Sequence, residues 1–295
     1  MLNILFVPGS FGTTIQFLIY KFSLFYLHPD APDVNGINLI SDDGSMHKFN
    51  ATGHTMDKEV IENFFNGKFD DLTKHSNLLI YAELGLSPYY DYKWFLSGIS
   101  TYRKNDQNVF VIIENIKQAE LCLLFQYNKK DTANTNSTIL NGYDINGILI
   151  LWGLDIINFH QKSYIQLLDE FSDHYPTMIN KWIDAKTYAS NDWLLVNINE
   201  MLESTFDTFT KIIDYCGGLA DHAQYKELQT FSTVWREKQQ YILDQYETID
   251  TIAESVISGK STHTWNTLNF MAESILLQKL KAHGYNISNE TRRPQ

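Results

Sequence analysis

The sequence predicts an α/β fold built on a central, mainly parallel sheet. Three observations carry that expectation. Short, continuously apolar runs recur along the chain, as strands buried on both faces require. Helical patterns separate them, the alternation from which parallel crossovers are made. The chain also opens on an apolar run, a small-residue turn and a helical stretch, in that order.

The first strand is Leu2–Val7. Pro8-Gly9-Ser10-Phe11-Gly12-Thr13-Thr14 follows as a turn rich in small and hydroxyl residues, and Ile15–Phe22 reads as a helix. Loop amides and the positive end of a helix dipole make this geometry a phosphate cradle. A Walker loop is absent, because Thr13 follows Gly12 and the loop carries no basic residue. A GxGxxG fingerprint is absent as well. An ordinary β-α turn with a hydroxyl cap is the competing reading.

Leu78–Ala82 is the second strand, closed by Glu83-Leu84-Gly85; Val109–Ile113 is the third and Trp193–Ile198 the fourth. Ile37–Ile40 is a weaker strand candidate. Helices are expected at Asp57–Phe65, Lys117–Tyr127, Ser163–Phe171, Tyr175–Asp184, Ser204–Cys216, Phe231–Tyr246 and Thr267–Ala282. Gly217-Gly218 and Gly284 supply C-terminal stops. The polar, low-complexity segment 128–141 reads as an exposed loop or insertion. The expectation is one domain over residues 1–288 with a frayed tail at 289–295.

With 295 residues, 44% of them hydrophobic and 14% aromatic, the chain holds enough apolar surface for a large core. Its formal net charge of -12 argues against a nucleic-acid surface, which needs clustered Lys and Arg. Cys122 and Cys216 fit neither a disulfide framework nor a zinc ribbon. Nine histidines show no metal spacing, so no metal is expected. There is no signal-peptide pattern and no run of about 18 apolar residues. The expectation is a cytoplasmic protein with no membrane span. The Asn- and Tyr-rich composition suits an AT-rich genome, a viral one included.

Three separated segments together resemble the sulfotransferase family. The first is Pro8–Thr14, similar to the family's Pro-Lys/Arg-Ser/Thr-Gly-Thr/Ser-Thr/Ser loop, with one residue added and the basic residue missing. The second is Val109–Phe125. The family pattern there is strand, Arg-Asn-Pro, and a helical Ser eight residues after the Arg. Glu114 stands at the arginine, Asn115 matches, Ile116 replaces proline and Cys122 stands at the serine. The third is Leu194–Gly218, similar to a late strand-helix segment of the family.

The resemblance implies a P-loop-like three-layer sandwich that binds the donor PAPS, or its product PAP, and transfers a sulfuryl group to a hydroxyl acceptor on a small molecule or glycan. It places Gly9, Ser10, Phe11, Gly12, Thr13 and Thr14 on the 5′-phosphosulfate. It places Asn115 and Cys122 near the 3′-phosphate. Glu83, after the second strand, takes the place of the family's general base. Lys260, in Ser258-Gly259-Lys260-Ser261-Thr262, is similar in position to a late loop lysine and would supply positive charge; a solvated lysine is the plainer reading. Glu114 departs most from the pattern, since two like charges about 4 Å apart repel by roughly 4 kcal/mol at an effective dielectric of 20. A non-catalytic structural or interaction protein that has lost donor binding, with a protein partner or a second copy of itself, is the alternative. The aromatic run Tyr89–Phe95 would line an acceptor pocket or pack in the core.

Overall fold

A computed structural model describes residues 2–7, 9–26, 66, 80–83, 92–127, 139–140, 143–144, 164–260 and 270–286. The described elements run β1 (Leu2–Phe6), α1 (Gly12–Phe22), β2 (Ile80–Glu83), α2 (Tyr92–Tyr102), β3 (Gln107–Ile112), α3 (Ile116–Tyr127), β4 (Ile139–Leu140), β5 (Tyr143–Asp144), α4 (Tyr164–Ala185), β6 (Leu194–Asn197), α5 (Ile198–Glu203), α6 (Thr205–Tyr215), α7 (Gln224–Ile257) and α8 (Phe270–Ala282). A 3-10 turn, Lys186–Tyr188, joins α4 to the segment before β6.

Four strands form one parallel sheet in the order β2-β1-β3-β6. This is the α/β class with a parallel sheet that the apolar runs foretold. Every residue of β1 is buried, and side chains alternate between faces, so helices or loops cover both faces of this strand. The chain leaves β1 for β2 on one side and returns to β3 on the other. The β1/β3 boundary is therefore the topological switch point, where open parallel sheets hold ligands beyond their carboxyl ends.

Strand positions agree with the sequence reading to within two residues, and the helices depart from it in instructive ways. Ser163–Phe171 and Tyr175–Asp184 were expected as two separate helices, and a proline within a helix has no amide to donate. They are one helix, α4, with Pro176 inside it. The carbonyl four residues before Pro176 belongs to Ser172, and the Gln278 side chain of α8 donates to it at 2.7 Å. A tertiary hydrogen bond thus replaces the helical one. The expected Phe231–Tyr246 helix is also longer, α7 running 34 residues. The expected Ser204–Cys216 helix is α6, with Ser204 and Cys216 as its caps, and the short helix α5 before it was not expected. Part of 128–141 forms β4, paired antiparallel with β5. Asp57–Phe65 and Ile37–Ile40 lie outside the described residues.

The predicted stop at Gly217-Gly218 is present: both glycines have positive φ, 97° and 84°, and the Gly218 amide returns to the Ile213 carbonyl at 3.0 Å. The chain after α1 lies against this stop, with Leu24 N–H donating to the Gly218 carbonyl at 2.8 Å and Ala220 N–H to the Phe22 carbonyl at 2.9 Å. Burial here raises the Cys216 thiol from 9.0 to about 12. Burial, then negative charge on Cys216, Tyr215 and Asp106, raises the Tyr26 phenol from 10.0 to about 12. Both groups bind their protons more tightly folded than unfolded. Stability is therefore intact below pH 9.0 and falls as pH rises toward about 12. Urea unfolding midpoints measured across that interval should fall steadily. Cys216→Ala should flatten the decline that begins at the thiol, whatever it does to stability at neutral pH.

Candidate functional site

The exit of β1 is built by Ser10. Val7 has left the sheet ladder, and the Ser10 hydroxyl accepts from the Val7 amide at 3.1 Å while donating to the Val7 carbonyl at 2.7 Å. The Ser10 amide donates to that same carbonyl at 3.1 Å. Both polar groups of Val7 are satisfied this way, and Ser10 is wholly buried. Gly9 has φ 77°, and a Cβ on it would lie 1.8 Å from the Cys122 carbonyl oxygen, so the turn rests directly on the backbone of α3. A Cβ built on Gly12 meets the Phe6 ring at 2.4 Å, so α1 starts hard against β1.

Phe11 occupies the N-cap of α1 with φ 67° and no side-chain hydrogen bond to the helix. Among the described residues it is the only non-glycine with positive φ. A left-handed backbone costs an L-residue about 1–2 kcal/mol. The Phe11 ring offsets this by packing edge-on against Phe125 of α3 and Trp235 of α7, with centroids 4.6 and 4.7 Å away. Thr13 is half-buried and Thr14 is buried in the first turn of α1. A helix's first-turn amides have no carbonyl of their own helix to meet.

The exit of β3 holds a second, denser arrangement. Asn115 caps α3, its Oδ1 accepting from the Gln118 amide at 3.0 Å. The buried Gln118 side chain accepts from the Glu114 amide at 2.7 Å and donates to Asn197 Oδ1 at 2.9 Å. Asn197, the last residue of β6, caps α5 by accepting from the Asn199 amide at 2.8 Å. With its oxygen committed to two donors, Asn197 can aim only its amide nitrogen at Glu114 Oε2, and it does. Lys186, from the 3-10 turn, donates to Glu114 Oε1. Glu114 and Lys186 are each about two-fifths exposed, at 39% and 41%.

The remaining candidates are spread more widely. Glu83 ends β2 in register with Phe6, which sets it at the carboxyl edge beside the β1 turn. Cys122 is fully buried within α3, its thiol pushed up by burial. It presents its carbonyl to Gly9 and no exposed atom to a ligand. Lys260 is exposed just beyond α7, where its amide closes the helix on the Ser255 carbonyl at 2.9 Å. Of the aromatic run, Phe95 is core and Trp94 packs against it; 89–91 lie outside the described residues. The sheet thus brings the β1 turn, Glu83 and Glu114-Asn115 to one edge. Lys186, Gln118 and Asn197 were missed by sequence reasoning. Asn197 carried a signal, an Asn between an apolar strand and a helix; Lys186 carried none.

A second charged cluster lies deeper. Glu120 of α3, 2% exposed, accepts from the Tyr175 hydroxyl on one oxygen and from the Tyr246 hydroxyl on the other at 2.8 Å. Lys279 Nζ of α8 stands 3.3 Å from Glu120, and it also bonds Tyr246 at 3.1 Å and pairs with Asp250. The cluster ties α3, α4, α7 and α8 together. Burial and then Glu120 keep both tyrosines protonated, raising their pKa values. An open cleft of about 370 Å³ at α5, α6 and α7 is lined by Glu203, Asp207 and Glu237 against one guanidinium, Arg236, a poor setting for an anion.

Among the described residues no group of side chains could hold a metal ion, and no helix is long and apolar enough to cross a membrane. No family model, no curated protein and no solved structure matches this chain.

Two substitutions test this framework. Gly9→Ala combines a left-handed backbone with a backbone clash, and should cost about 2–4 kcal/mol of unfolding free energy in urea titration. Glu120→Ala leaves the buried Tyr175 and Tyr246 hydroxyls without their acceptor and opens a gap beside Lys279, and should cost about 3–5 kcal/mol in the same measurement.

Proposed function

We propose that this chain is a sulfotransferase-like protein with a P-loop-like three-layer fold, holding the phosphate groups of PAPS at its carboxyl edge and moving the sulfuryl group to a hydroxyl acceptor. One observation carries the reading: the left-handed Phe11 at the switch-point turn, which leaves α1 without a side-chain cap. Backbone strain concentrates at ligand sites, and the N-terminal end of a helix dipole favours an anion. On this reading the Gly9–Thr14 turn borders the 5′-phosphosulfate and Asn115 the 3′-phosphate. The acceptor oxygen attacks sulfur, the bond from sulfur to the bridging phosphate oxygen breaks, and the acceptor's proton passes to the Glu83 carboxylate. A cytoplasmic location, suited to the two free cysteines, belongs to the same proposal.

A second reading, a non-catalytic member that keeps the fold as an interaction module, is favoured by the use of Ser10 and Cys122 in packing. Calorimetry of the full chain with PAP separates the two. Binding, together with a sulfonated product from PAPS, supports the enzyme; a folded chain that gives no heat at millimolar PAP supports the module. In the enzyme, Glu83→Gln should lower turnover by about 10²-fold or more while leaving PAP affinity within a few-fold.

A further inference from the structure

The Glu114 cluster has the form of a filled anion site. Two donors, the Lys186 ammonium and the Asn197 amide, converge on the two oxygens of one carboxylate. One donor is rigid. Asn197 is fixed by the Asn199 amide and by Gln118, and Gln118 is itself buried and bonded at both ends. The other donor is a lysine, half-exposed on a turn with no buried residue. The carboxylate between them comes from the loop after β3, at the ligand edge of the sheet and next to the switch point.

We propose that Lys186 and Asn197 form a binding clamp for a phosphate-type oxyanion, and that Glu114 is its built-in occupant. The proposal rests on reading the carboxyl edge as the ligand face; it does not depend on PAPS. Glu114 leaves the clamp when a ligand oxyanion takes its place. Exposed ion pairs are weak, so opening the clamp costs little. A phosphate group carries about −1.5 to −2 charge at pH 7, with three terminal oxygens, and so offers both donors more than a single carboxylate does. Asn197 needs no rearrangement to receive it. The placement of Glu114 also gives the clamp a gate, because the displaced carboxylate stays nearby and repels a bound anion.

The test is calorimetry of the full chain with pyrophosphate at low ionic strength. Glu114→Gln removes the competing charge and leaves Lys186 and Asn197 in place. It should tighten pyrophosphate binding about tenfold or more, the gain shrinking with added salt. Glu114→Ala should give a similar gain, and serves if the glutamine variant does not fold. The double variant Glu114→Gln, Lys186→Met should lose the gain. Equal affinity in wild type and both single variants overturns the proposal, and so does a gain that survives loss of Lys186. A chain that ignores PAP but shows the Lys186-dependent gain keeps the clamp and discards the sulfotransferase reading. A chain that binds PAP but shows no gain does the reverse.

Discussion

The in-register pairing of β1 with β3 is the constraint on which the rest of the structure depends. Asn3 and Asn108 are fully buried opposite one another, and Asn3 Nδ2 donates to Asn108 Oδ1 at 2.8 Å. An amide buried without a partner costs on the order of 1–3 kcal/mol. Slipping either strand by one residue would turn one of these amides to the other face and break the bond between them. The pair is braced from the turn before β3. Asp106 holds Arg103 through both carboxylate oxygens, at 2.8 and 3.1 Å, and its backbone carbonyl accepts from Asn108. With that register set, Phe6 meets Glu83 on one side, and Ile112 meets Asn197 through β3 on the other. The four exits come level, and the loops that carry the candidate chemistry share one edge.

Helix α3 then couples that edge to the core. Its first turn carries Asn115 and Gln118, its second carries Glu120, and the carbonyl of Cys122 meets Gly9. Phe125, near its end, continues a chain of edge-on rings through Phe11, Trp235 and Phe209. The strained Phe11 backbone is therefore held from α3 and α7, while Ser10 is held within the turn by Val7. A displacement of α3 would reach the β1 turn and the β3 exit together.

The strands, their parallel class and the edge on which the loops gather were legible because buried parallel strands write themselves as continuous apolar runs. The β-α turn was legible from Gly9 and Gly12, where a side chain would have no room. What escaped was tertiary in origin. Two helical stretches are one helix through Pro176, where Gln278, about a hundred residues later, takes the carbonyl that proline cannot serve. Lys186 looked like any surface lysine until the sheet order set β6 beside β3. Ser10 was counted among the ligand residues, and nothing local revealed that Val7 would need its hydroxyl. Glu114 was read as an isolated negative charge, since neither donor to it lies close in sequence.

The two carboxylates of α3 and its entry show why only one of them can exchange partners. Glu120 is enclosed, with two hydroxyls and an ammonium around it, and each of those donors is itself buried or tied to another element. Moving it would leave two buried hydroxyls without their acceptor and take one carboxylate from Lys279, so its role is to lock four helices. Glu114 faces solvent with one donor fixed by its neighbours and one on a half-exposed lysine, and water can satisfy whatever it releases. The same chemistry, a carboxylate among convergent donors, is structural where water is excluded and exchangeable where water enters. That difference in solvent access, more than any difference in residue type, marks the β3 exit as the place where this fold can trade an internal anion for an external one.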